Sequence, residues 1–91
     1  MLNIKNDAGN FNLTYKMMND VIYFKAKEIA TILGYKNTAQ AIMIHVDDVY
    51  KTKLKDISSN LEIRLLAGSD HNIVYVNEYG LYQLVSNQTN K

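Results

Sequence analysis

The chain has 91 residues, 47% of them hydrophobic and 21% charged, with a formal net charge of +1 and no cysteine. That length suits one domain burying roughly 60–65% of its unfolded surface. The lack of cysteine excludes disulfides and thiolate metal sites. No apolar run approaches the ~20 residues of a transmembrane helix, and the first residues lack a basic region followed by an apolar one. The expectation is an intracellular protein, in the cytoplasm or nucleus of its host cell, with no membrane partner. Nine of the ten basic residues are lysine and eleven residues are asparagine, a bias that AT-rich codons favour and that carries no mechanism.

Phe11, Leu13, Tyr15 and Met17 alternate with Asn12, Thr14 and Lys16, and period two predicts a half-buried strand. Asn19-Asp20 supplies a turn, and Val21 to Phe24 is a second β-prone run, so a hairpin leads into the first helix. In that helix Ala26, Ile29, Ala30 and Leu33 have the spacing of one buried stripe. Gly34 stands where a helix ends in a left-handed residue. Asn37 is placed to cap a second helix, Gln40 completes the capping-box spacing, and Ala39, Ile42, Met43 and Val46 repeat the apolar period. Helix, tight turn, helix is either an ordinary hairpin in a small core or a helix-turn-helix whose second helix enters the DNA major groove.

Asp47-Asp48 breaks the pattern, and Ser58-Ser59-Asn60 marks a loop. "LEIRLL" alternates like a strand, residues 67–72 supply a turn, and "IVYV" is a short buried strand. Asn77 caps a last helix bearing Leu81, Tyr82, Leu84 and Val85. The order ββαα-ββα predicts a small single α+β domain with a helix-turn-helix-like pair and short antiparallel strands. The polar run "SNQTNK" fits a fragment of a longer protein better than a frayed tail.

The catalytic inventory is thin. His45 and His71 are the only histidines and have no metal-ligand spacing, and the four glycines never cluster into a phosphate-cradling loop. No motif places a serine, a histidine and an acid as a triad. Neither an enzyme, a metal nor a cofactor is expected. The charge is unevenly spread: residues 25–55 carry six lysines against Glu28, Asp47 and Asp48, whereas residues 56–91 carry Arg64 and Lys91 against four acids.

If the second helix meets DNA, Lys36, Asn37, Thr38 and Gln40 at its start reach base edges and phosphates. Asn37 is first of all a cap, so Thr38 and Gln40 are the stronger base-contact candidates, and Asn and Gln suit adenine. Exposed Ile44 could touch thymine methyls or dock a protein; His45 is a further candidate contact, although it lies opposite part of the apolar stripe and fits a satisfied interface residue equally. Lys51, Lys53 and Lys55, if extended, share one side and could track a phosphate strand, although lysines also solubilise edge strands. Glu78 and Gly80 read as structural, the acid meeting the positive end of a helix dipole.

The residues "YFKAKEIATILGYKNTAQAIMIHV" resemble the Bro-N domain, the N-terminal module of baculovirus-repeated-ORF proteins and many phage antirepressors. The hallmark positions are Phe24, Ala26, Glu28, Ile29-Ala30, Leu33-Gly34-Tyr35, Asn37, Ala41-Ile42 and His45-Val46. A second motif is matched by "VNEYGLY", Val76 to Tyr82, and the resemblance covers about residues 11 to 86 of a single domain spanning 1–91. It implies a non-enzymatic, double-stranded-DNA-binding domain of a viral or phage regulatory protein acting in transcription, fused to a variable C-terminal region. The alternative is a protein-interaction module, antirepressor-like or self-associating through Met43 and Ile44. Family members commonly have a basic residue just before the matched histidine; here Met43-Ile44 occupies that place.

Overall fold

The computed structural model describes residues 2–6 and 9–87, with side chains from Leu13 onward. In chain order the elements are β1 (Leu2–Asn6), β2 (Gly9–Leu13), β3 (Tyr15–Met18), β4 (Val21–Lys25), α1 (Ala26–Ile32), α2 (Thr38–His45), β5 (Lys51–Lys53), α3 (Asn60–Leu65), β6 (Val74–Val76) and α4 (Glu78–Ser86). Three short 3-10 turns, Asp48–Tyr50, Leu54–Ile57 and Gly68–Asn72, bridge them. β1 and β2 form a separate antiparallel pair with Leu2 opposite Leu13. The main sheet has the order β3-β4-β6-β5, antiparallel throughout. The domain is α+β, and the order ββαα-ββα is present from β3 onward with α3 interposed.

Asn19 (φ 53°) and Asp20 (φ 65°) both lie in the left-handed region, and Met18 pairs with Val21. Two such residues make the type I′ turn whose twist matches a hairpin. The strand expected over residues 11–17 is interrupted at Thr14. The Glu28 carboxylate accepts the Thr14 amide at 2.7 Å and its hydroxyl at 2.8 Å. An amide drawn onto a side chain is lost to the ladder, so the chain divides into β2 and β3 and α1 is tied to the break.

α1 ends as its sequence dictates. Gly34 has φ +88°, its amide donates to the Thr31 carbonyl, and the Tyr35 amide donates to the Ala30 carbonyl, both at 3.1 Å. These two bonds are the Schellman motif. α2 starts at once, with the Asn37 side chain accepting the Gln40 amide at 3.0 Å. Asn77 does the same for α4, accepting the Gly80 amide at 3.1 Å.

"LEIRLL" is not a strand but the body of α3. The Ser59 hydroxyl accepts the Glu62 amide at 3.2 Å and the Glu62 carboxylate accepts the Ser59 amide at 2.8 Å. This reciprocal capping box nucleates a helix that short-range alternation mimics as β. The second pair of strands is therefore β5 and β6, with Lys51 opposite Val76 and Lys53 opposite Val74. Lys55 lies past the end of β5, in a 3-10 turn, so the extended run of three lysines stops at Lys53.

The core gathers Leu13 and Phe24 from the strands, Ala26, Ile29 and Ala30 from α1, and Ile42, Val46, Val76 and Leu84 from the remaining elements. Leu54, Ile57 and Tyr75 form a second cluster on the far side of β6. Gly80 is buried between β6 and the end of α2: a Cβ there would meet Val76 Cβ at 2.7 Å and Val46 Cγ1 at 3.2 Å. Its role is structural, allowing α4 to approach both.

Candidate nucleic-acid interface

α2 is set by what its two faces can bury. Ala41 and Ile42 are buried, Thr38 and His45 half-buried, and Ala39, Gln40, Met43 and Ile44 exposed. Met43 is 68% and Ile44 60% exposed, so Met43 and Ala39 leave the buried stripe expected of them. Apolar residues occupy both faces, and the orientation is decided by neighbours. The Tyr35 ring sits 5.6 Å from the His45 ring, and the Tyr35 hydroxyl donates to the Leu84 carbonyl at 2.7 Å. Burial pushes the Tyr35 phenol up from its ordinary pKa, so it is a neutral donor at neutral pH. At the other end, the Gln83 side chain accepts the Asp47 amide at 2.8 Å and donates to its carboxylate at 3.1 Å. α4 thus clamps the turn before α2 and the segment after it.

Beside the first turn of α2 runs a groove of about 480 Å³. Lys25 from the end of β4, Lys27 from α1 and Lys51 from β5 line it together with Thr38. Ala39, Ile42 and Met43 of α2 and Ile73 and Val74 before and within β6 form its apolar part. No carboxylate is among the described lining residues. Lys51 is half-buried and paired with Asp48 at 2.9 Å; Lys25 and Lys27 have no ion-pair partner among the described residues. Next to it, Lys51, Lys53 and Lys55 line a second concavity of about 520 Å³, shared with Asp48 and Asp56. Those carboxylates offset much of its charge.

Of the residues singled out by sequence, Thr38 and Lys51 meet at the groove, and Lys53 and Lys55 flank it through Lys51. Lys36, Asn37, Gln40 and Ile44 are exposed on the turn and α2 but outside its lining. His45 turns inward against Tyr35. Lys25 and Lys27, which no sequence motif marks as binding residues, are the lysines of the groove without an ion-pair partner among the described residues. Their only signal in the sequence is the local lysine excess; the groove exists because β4, α1, α2 and β5 converge.

A small α+β domain with a capped helix pair clamped by a third helix is the class this fold defines. Residues 12–91 match the BRO family, N-terminal domain (Bro-N), and the chain belongs to that family. The putative Bro-N domain-containing protein 289L of Invertebrate iridescent virus 6 is 32% identical over 76 residues, an alignment covering 72% of this chain and 18% of that protein. The chain therefore spans less than a fifth of the relative's length. No solved structure matches it significantly.

Proposed function

We propose that this domain binds double-stranded DNA without catalysis, in a regulatory protein of a DNA virus or phage acting inside the host cell. The observation that carries the reading is the meeting of Lys25, Lys27 and Lys51 beside the first turn of α2, with no carboxylate among the described lining residues. The chain's net charge is only +1, but residues 25–55 carry six lysines against three acids, and the groove's lysines lie within that excess. Lysines placed on phosphates release condensed counterions, which supplies most of the affinity and none of the sequence preference. Thr38, Gln40 and Ile44 on α2 are the candidates for base edges, with Asn37 engaged as the cap and Lys36, Lys53 and Lys55 as outlying phosphate contacts. His45 supports the helix rather than the DNA.

A second reading has its own observation. Met43 and Ile44 stand side by side and exposed on a helix carrying no lysine or arginine, a surface suited to a protein partner or a second copy. Salt separates the two. A gel-shift titration with random duplex should show affinity falling steeply with ionic strength if lysines meet phosphates, whereas an apolar docking face is nearly indifferent to it.

A further inference from the structure

Phosphates of a duplex would use only the lysines of the groove. Its apolar lining, Ala39, Ile42, Met43, Ile73 and Val74, offers a nucleic-acid backbone nothing to bond. A volume of about 480 Å³ falls within the roughly 300–1,000 Å³ of small-molecule sites, which are mostly apolar with a few convergent polar groups. Here those groups all favour an anion. Lys25 and Lys27 have no ion-pair partner among the described residues, Lys51 is shared only with Asp48, and the Thr38 hydroxyl has no hydrogen-bond partner among them.

We propose that the groove is a binding site for a small, soluble, amphipathic anion, a phosphate or carboxylate head held by Lys25, Lys27 and Lys51 with an alkyl or aryl body laid on Ile42, Met43 and Val74. Charge complementarity selects the head, since the described lining holds no carboxylate and the one at its edge, Asp48, is paired with Lys51. The apolar lining selects the body, because burying apolar surface is favourable whatever its chemical detail. A membrane is a poorer occupant: the lining residues come from β4, α1, α2, β5 and the start of β6 and enclose a concavity rather than a flat face. The site does not depend on DNA binding, although both would draw on the same lysines. An occupied groove would then neutralise part of the phosphate-binding surface.

Alkyl phosphates test the site on the whole chain, followed by backbone amide shifts in NMR without DNA. Inorganic phosphate, butyl phosphate and octyl phosphate form the series, kept below micelle concentration, with octanol as the uncharged control. Affinity should rise with chain length by up to about fourfold for each methylene that is buried, with saturable shifts at Ala39, Met43 and Val74. Octanol should bind at least about tenfold more weakly than octyl phosphate, the loss expected for a charge-assisted contact. Lys27→Gln should weaken octyl phosphate, and Ala39→Glu, at an exposed helical position, should repel it while leaving the amide spectrum of the fold in place. Equal affinity for inorganic and octyl phosphate, binding unchanged in both variants, or binding to anionic vesicles but not to monomeric octyl phosphate would each overturn the site. Failure here would leave duplex affinity to be judged separately, and loss of duplex affinity would not remove octyl phosphate binding.

Discussion

At Gly34 the backbone sits at φ +88° with open space around its Cβ position. Gly34→Val should therefore lose about 1–2 kcal/mol through backbone strain alone, and Gly34→Asn much less, because asparagine tolerates this region. Gly80 is the opposite case: its φ is unexceptional, but a methyl would enter Val76. Gly80→Ala should cost about 1–3 kcal/mol by overpacking, and thermal melts of the three variants separate the two mechanisms. Glu62 offers a test by pH. The Ser59 amide bonded to it, and then Lys16 at 2.9 Å, hold its carboxyl below the ordinary glutamate range. A carboxyl lowered by folding stabilises the folded form above its unfolded pKa, and that contribution is lost as pH falls through the folded value. An NMR titration should give Glu62 a midpoint below that of an unstructured peptide glutamate. Lys16→Ala should raise it only part of the way, because the Ser59 amide remains, and Glu62→Gln should remove the acid-range change in α3 shifts.

Among the elements, α2 bears the sharpest expectations. Ile42→Ala should destabilise by about 2–4 kcal/mol, the range for a buried aliphatic truncation, while Met43→Ala and Ile44→Ala should stay within about 0.5 kcal/mol as exposed positions. Urea denaturation of the three variants checks the facing of the helix. For binding, Thr38→Ala with Gln40→Ala should narrow the gap between preferred and random duplex by about 1–3 kcal/mol with little change in salt dependence. The helix pair itself is legible in the sequence because its signals are local: a glycine at the C-terminus, an asparagine cap, a short connection. The Asn19-Asp20 turn and the Asn77 cap are legible for the same reason. α3 is not, because Leu61, Ile63 and Leu65 alternate as a strand would, and only Ser59 with Glu62 reveals the helix. The facing of α2 is not legible either. Its apolar residues lie all round, and Tyr35 and Leu84, distant in sequence, decide which are buried.

On the scale of the whole molecule, the chain sorts its charge by position: lysines converge from β4, α1 and β5 on the N-terminal end of α2, while residues 56–91 carry the acidic excess. Sequence shows the excess over residues 25–55; it does not show that Lys25 and Lys27 join Lys51, since that depends on β4 and β5 both pairing with β6. The most direct test of DNA binding is the dependence of random-duplex affinity on salt, for the wild-type domain and for Lys25→Gln, Lys27→Gln and Lys51→Gln combined. Each phosphate contact contributes about 0.9 to the log–log slope, so the triple variant should lose up to ~2.7 of it and bind every duplex more weakly alike. A wild-type domain with no measurable duplex affinity at low salt, or a slope unchanged in the triple variant, would contradict DNA binding through this surface.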